Sequence, residues 1–377
     1  MRRLLVLLST LTAGVLFALP AAPGAAGTGG HAAITITSDA GFTSCGCVTS
    51  GKGTPASPFV IGPWTISAPS GGTGGWSVKI DNSKGLITDS FNIVGISSTY
   101  NDTNPSDPTI WLDGVKTATT ISGTSAHPTA GNGLGMAIEL DNSSNISIDG
   151  VSYNKGNGTG VFINNSSNVS VNNSKFKATC DICTPHTGDG IYAVGSSNLQ
   201  IGNGSDCPKS GPCNDLTYDD GFGIYLENTH NVTINHATAD ANDTGGYVLD
   251  GSNTYNVTLE NSSAQGDGNI CFTVNGQKMN SGYDTDLQGG LHLINGAHDN
   301  TITNDTFGGG TSLDVASGGN TDSSGTAVYY DACVSGNVPF TLSPREPSMG
   351  AGNSFSSICY ADTNIPVSVL GPSTCKS

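Results

Sequence analysis

The sequence predicts an all-β solenoid, a single-stranded parallel β-helix of about 22 to 23 residues per coil with a cap at each end. Two observations carry that expectation. One phrase recurs between Met136 and Asn304: two aliphatics one residue apart, a polar turn, an asparagine, and two more aliphatics one residue apart. It reads IELDNSSNISI, VFINNSSNVSV, IYAVGSSNLQI and IYLENTHNVTI, then more loosely YVLDGSNTYNVTL and LHLINGAHDNTI. The asparagines that close it, Asn145, Asn168, Asn198, Asn231, Asn256 and Asn300, lie 23, 30, 33, 25 and 44 residues apart. A recurring period in this range means stacked units that share one continuous core, and the 44-residue gap reads as two turns of 22. The aliphatics are Val, Ile and Leu at a spacing of two, which is strand chemistry. Helices find little support anywhere.

Residues 1–26 read as a secretory signal. Two arginines precede the apolar run LLVLLSTLTAGVLFAL, and the small-residue stretch PAAPGAAG offers cleavage after Ala22 or Ala26. Residues 27–56, rich in Gly, Ser and Thr, read as an N-terminal cap, with HAAITITSD as a possible leading strand. Residues 57–310 read as the solenoid. In GKGTPASPFVIGPWTI, Phe59, Ile61, Trp64 and Ile66 can supply a first buried coil, with Pro63 at a bend that needs no backbone donor. WSVKIDNSKGLIT and TIWLDGVKTATTI continue it, and NDTNPSDP is a loop between them. Residues 311–377 read as final coils and a C-terminal cap stapled by Cys333, Cys359 and Cys375.

Ten cysteines in an exported chain imply a disulfide framework. Cys45 and Cys47, Cys180 and Cys183, and Cys207 and Cys213 are close in sequence, while Cys271, Cys333, Cys359 and Cys375 are spread out. In an oxidising compartment, stapled loops are favoured over a four-thiolate zinc site at Cys180, Cys183, Cys207 and Cys213. The formal net charge is −17, and losing Arg2 and Arg3 with the signal makes it −19. Nucleic acid is therefore excluded as a partner, because phosphate binding needs clustered Lys and Arg.

GKGTPASPFVIGPWTI, with the SSNVSV and NTHNVTI phrases, resembles secreted proteins with right-handed parallel β-helix repeats, the pectin-lyase-like fold. These include periplasmic accessory proteins implicated in copper delivery. The resemblance implies the fold and leaves activity open, since that fold carries lyases, hydrolases, adhesins and non-catalytic scaffolds. It also gives the recurring asparagine a task at a corner of each coil. Asparagine tolerates the left-handed backbone there, and Asn145, Asn168, Asn198, Asn231 and Asn256 are expected to form a buried amide ladder from coil to coil. Val161, Ile163, Val169 and Val171 are expected to point inward.

Three features bear on function. A row made of Glu139, Phe162, Tyr192, Tyr225, Val248 and His292 sits one residue after the first inward aliphatic of each coil, so its aromatics are expected to stack outward at the spacing of neighbouring strands. Phe162, Tyr192 and Tyr225, with Tyr218, are the candidate sugar-binding residues. Two cystine-bearing insertions, ATCDICTPHTG and NGSDCPKSGPCNDLTYDD, are expected to leave adjacent coils at the same phase and to wall a cleft. Finally, HTGDGIYA and YDDGFGIYL resemble the first two motifs of polygalacturonases. That resemblance implies Asp220 as the general acid and Asp189 and Asp219 as the pair that activates water for an inverting hydrolysis. The later Gly-His-Gly and Arg-x-Lys motifs are absent, with Thr244, Gly245, Gly246 and Tyr247 where the former belongs.

The expected function is a secreted, extracellular or cell-envelope scaffold, monomeric and non-catalytic, that binds an extracellular polysaccharide or cell-surface glycan. The alternative is a polysaccharide hydrolase using Asp189, Asp219 and Asp220, with a lyase disfavoured by the shortage of basic residues. No cofactor and no membrane span are expected. Asp215, Asp219, Asp220 and Glu227 are an unspecific set of oxygen ligands for calcium, and the seven histidines and four methionines form no close copper-binding cluster.

Overall fold

The computed structural model describes residues 29 to 309 apart from the segments 68–74, 101–106, 129–134, 157, 179–187, 203–212, 218–220, 241, 243–244, 268–270, 275–276, 281–288 and 304, and beyond these the backbone of five short strands. The signal region lies outside the described residues, as does the C-terminal cap apart from the backbone of those strands.

Three long sheets run the length of the molecule, and nearly every pairing is parallel. Sheet I contains Ile34–Ile36, Val78–Asp81, Pro108–Asp113, Met136–Asp141, Val161–Asn164, Ile191–Val194, Phe222–Glu227, Gly245–Asp250, Gly289–Ile294 and Leu313–Val315. Sheets II and III have twelve strands each. One coil visits them in turn, as in Met136–Asp141 on sheet I, Ser144–Asp149 on sheet II and Ser152–Gly156 on sheet III. Alternation along each strand sends every second side chain inward. Val161, Ile163, Val169 and Val171 point in as expected, each at most 2% exposed, and join one apolar column of Ile, Val and Leu from all three sheets.

The polar corners turn because the chain places Asn or Gly where a left-handed backbone is required. Asn145, Asn168, Asn198, Asn231 and Asn256 have φ of 63°, 54°, 54°, 57° and 55°. Asn168 donates to Asn145 at 3.3 Å, Asn231 to Asn198 at 3.2 Å and Asn256 to Asn231 at 2.7 Å. This ladder is exposed, which corrects the expectation that its amides are buried. The buried ladder lies two residues earlier, at Ser143, Ser166, Ser196, Thr229 and Thr254. Each hydroxyl from Ser166 to Thr254 accepts the backbone N–H of the preceding coil's member. Asn300 is also corrected: it pairs one position inward, buried, with its Oδ1 accepting Val257 N at 2.9 Å, and Asp299, at φ 54°, takes the corner.

The 44-residue gap is one coil and not two. Gly245–Asp250 pairs directly with Gly289–Ile294, and the surplus chain carries an antiparallel hairpin, Cys271–Val274 with Gln277–Asn280. The two cystine-bearing insertions also leave at different corners. Cys180 and Cys183 lie between Lys175–Ala178 of sheet III and Ile191–Val194 of sheet I, whereas Cys207 lies between Ser197–Ile201 of sheet II and Asn214–Asp215 of sheet III. Their common period shift reports an insertion, and a gap between asparagines cannot say at which of three corners it falls.

At the N-terminal end, Ile34–Ile36 joins sheet I as its first strand. A six-residue helix, Asp39–Ser44, follows, against the expectation of no helix. It presents buried Phe42 to Phe59 and Phe91, with ring centroids 5.3 and 5.2 Å away. Ile61 and Ile66 are fully buried, while Phe59 and Trp64 pack against the core from partly buried positions. Cys45 and Cys47 are bonded to each other, and Cys213 is also disulfide-bonded. The side chains of Cys180, Cys183, Cys207, Cys271, Cys333, Cys359 and Cys375 lie outside the described residues.

Candidate functional site

The outward face of sheet I gathers the unusual side chains. Strand register places Lys79, Trp111, Glu139, Phe162, Tyr192, Tyr225, Val248 and His292 in one column. The row read from the sequence is therefore a true register row, extended toward the N-terminus by Trp111 and Lys79. Phe162 and Tyr192 stack at 5.2 Å, and Tyr192 meets Tyr225 edge-on at 5.6 Å. At the other end Trp76 meets Trp111 at 5.9 Å, and Lys79 Nζ sits 3.5 Å from the Trp111 ring centroid.

The row is not exposed throughout. Tyr225, Val248 and His292 are buried, and Tyr225 and Val248 form a second apolar cluster with Phe222, outside the main core. The accessible part is the half-buried stretch from Lys79 to Tyr192. Of the four candidate sugar-binding residues, Phe162 and Tyr192 lie on that stretch, Tyr225 lies beneath its end, and Tyr218 is outside the described residues.

A second column runs beside the first, two residues along each strand: Asp81, Asp113, Asp141, Asn164, Val194, Glu227, Asp250 and Ile294. The two columns are tied diagonally. Trp111 Nε1 donates to Asp141 at 2.8 Å, Tyr192 Oη to Glu227 at 2.6 Å, and Tyr225 Oη to Asp250 at 2.6 Å. Burial, together with these carboxylates, pushes both tyrosine hydroxyls well above their ordinary range. Asn164 adds a donor to Asp141 at 2.9 Å. Each ring is thus fixed in plane by a carboxylate on the next coil.

Glu139 and Asp141 leave the same strand on the same side, and their carboxyls hydrogen-bond each other. Burial first, and then the charge and hydrogen bond of Asp141, push Glu139 up to about 8. Asp113 is raised as well, chiefly by burial. The sequence reading placed Glu139 in the row but passed over its carboxylate neighbours. Their signal is nevertheless visible, as the acidic residue that ends VKID, IWLD, IELD, IYLE and YVLD.

Asp189 lies elsewhere. It precedes the sheet I strand Ile191–Val194, is 0% exposed, and its Oδ1 accepts Phe222 N at 2.8 Å. A Cβ on Gly221 would fall 2.1 Å from that oxygen, so the Asp-Gly of YDDG leaves room for the carboxylate of the coil before. Asp219 and Asp220 are outside the described residues. Of the calcium set, Asp215 is on sheet III, bridged to Lys175 at 2.7 Å, while Glu227 is on sheet I. Among the described residues no group of three or more His, Cys, Asp or Glu side chains is placed to hold a metal ion, and no helix is long and apolar enough to cross a membrane.

A family model described as "Right handed beta helix region" matches residues 136–321. No curated protein matches the chain. Among solved structures, an alginate lyase from Paenibacillus sp. str. FPU-7 is 13% identical, with 87% of this chain and 97% of that chain covered and a TM-score of 0.37. The catalytic domain of a GH87 α-1,3-glucanase in complex with nigerose is 12% identical, over 85% of this chain and 57% of that one, with a TM-score of 0.44. The tailspike protein of E. coli bacteriophage HK620 in complex with a pentasaccharide is 12% identical, over 79% and 58%, with a TM-score of 0.38. This chain therefore spans little more than half of the glucanase and tailspike chains. The likenesses concern the fold alone, and the narrower resemblance to copper-accessory proteins gains nothing from them. By its repeat pattern, its three parallel sheets and the match to that region, the chain folds as a right-handed parallel β-helix.

Proposed function

We propose that this is a secreted, non-catalytic β-helix scaffold that binds an extracellular glycan along the outward face of sheet I. The observation that carries the reading is the register row Trp111, Phe162 and Tyr192, whose rings are held in place by Asp141, by stacking and by Glu227. Rigid, half-buried rings offer flat surfaces to the apolar faces of sugars at little entropic cost. The adjoining carboxylates accept hydrogen bonds from sugar hydroxyls. Binding is favoured over hydrolysis because Asp189, the described member of the proposed catalytic trio, is fully buried, with its Oδ1 accepting Phe222 N.

Affinity electrophoresis against a panel of polysaccharides tests this. The wild type is expected to be retarded by at least one polymer, and Trp111→Ala and Phe162→Ala each to lose about tenfold in affinity, equivalent to about 1.4 kcal/mol, with unchanged far-UV circular dichroism. No retardation by any polymer would sink the reading. Reducing ends released from a polymer, and lost in Asp220→Asn, would establish the hydrolase instead.

A further inference from the structure

The same face carries a charge pattern that bears on which glycan it takes. Six carboxylates, Asp81, Asp113, Glu139, Asp141, Glu227 and Asp250, line its two columns. Lys79 is the one lysine or arginine among the described residues of those columns, and it is already engaged. Its Nζ lies over the Trp111 ring at 3.5 Å and over the Trp76 ring at 4.9 Å, and 3.9 Å from Asp81. Glu227 and Asp250 each receive a tyrosine hydroxyl, and Asp141 receives Trp111 and Asn164. Asp113, hydrogen-bonded to Asn142, and Glu139, hydrogen-bonded to Asp141, stand in these columns beside the Trp111 and Phe162 rings, and both are raised by burial and by neighbouring carboxylates.

Such a face disfavours a polyanion. A polyuronate would bring like charge against six carboxylates whose described columns hold one lysine, Lys79. Neutral sugars would gain the ring stacking and hydrogen bonds from their hydroxyls to the carboxylates, but no charge attraction. A glycan carrying free amino groups would gain the stacking and also place ammonium groups against Asp113 and Glu139. We propose, resting on the glycan-binding reading, that the outward face of sheet I is selective for polysaccharides bearing protonated amines, such as polyglucosamine, with Trp111 and Phe162 as stacking surfaces and Asp113 and Glu139 as the carboxylates that read the charge.

The pattern fits the chemistry in a second respect. An ammonium group beside Glu139 favours its ionised form, so binding at neutral pH is accompanied by release of a proton from a group now held up to about 8. Neutral glycans bring no charge that would ionise Glu139, so their binding releases no such proton.

Titration calorimetry with soluble polyglucosamine, its fully N-acetylated counterpart and a polyuronate of similar length decides the matter, run in low salt at a pH where the amines are charged. The expected result is binding to polyglucosamine at least about tenfold tighter than to the N-acetylated polymer, none to the polyuronate, and weakening as salt rises. Repeating the neutral-pH titration in buffers of different ionisation enthalpy should report proton release. The double variant Asp113→Asn, Glu139→Gln is expected to abolish the preference while keeping the weaker binding to the acetylated polymer. Equal affinity for the amine and acetylated polymers, or binding to the polyuronate, would overturn the charge selectivity and leave the glycan reading standing. If none of the three binds and the wider panel also fails, the glycan reading falls with it.

Discussion

At the residue scale, Glu139 shows what the β-helix costs and what it makes available. An outward position on a central strand, with Asp141 two residues on and Asp113 on the preceding coil, keeps its carboxyl protonated up to about 8. Unfolded, it would ionise near its ordinary 4.5. A folded value above the unfolded one means that the acid is harmless while both states are protonated, below about 4.5, and destabilises the fold increasingly as pH rises from there to about 8. Glu139→Gln should therefore match the wild type in acid and be more stable above pH 8 by about 2 kcal/mol, a figure discounted for partial exposure. Urea midpoints at the two ends of that range check this, and an advantage that does not vary with pH would refute the cause given. Asp189 makes the opposite point. Its Asp-Gly context resembles a catalytic motif, yet the side chain is fully buried and its Oδ1 accepts Phe222 N. Residue type and spacing alone do not tell a turn-closing aspartate from one in a groove, because both positions favour Asp followed by Gly.

At the scale of the element, the strands and their inward faces were legible because a period of two leaves no freedom: once Val161 and Ile163 are inside, Phe162 must be outside. The corners were half legible. SSN in the repeat phrase marks a turn, but the reading gave the buried role to asparagine, whereas the serine two residues before it carries the buried hydrogen bonds. A short side chain can return to the backbone of its own coil and still accept from the next. Ser166 does both, donating to Asn164 O at 2.9 Å and accepting Ser143 N at 3.0 Å. Ser166→Ala should then cost about 1–3 kcal/mol, because it strands a buried N–H. Ser170→Ala, at an outward position of the next strand, should change stability by less than about 0.5 kcal/mol. Thermal or urea unfolding of the two variants makes the comparison, and equal effects would contradict the ladder's role. The N-terminal helix was not legible. Six residues carry too little periodicity, and tertiary contact of Phe42 with Phe59 and Phe91 is what stabilises it.

At the scale of the molecule, a solenoid turns one-dimensional register into two-dimensional surface. Residues about one period apart in sequence become neighbours across strands about 4.8 Å apart, so a row such as Trp111, Glu139, Phe162 and Tyr192 forms a continuous strip. The period identified the strip from Glu139 to Tyr192, without Trp111 and Lys79, and two further things escaped it. Insertions shift the period without naming their corner, which is why the 44-residue gap read as two coils and the cystine loops read as neighbours. Burial of the far end of the row, where Tyr225 and Val248 pack with Phe222, is a contact between coils, and no local pattern encodes that. The account rests on the near end of the strip being a binding surface. Hydroxyl-radical footprinting with and without saturating polysaccharide tests this most directly. Protection is predicted at Trp76, Trp111, Phe162 and Tyr192. Protection confined to another aromatic stack, such as His230, Tyr255 and His298 at the edge of sheet II, with these four side chains equally oxidised in both samples, would contradict it.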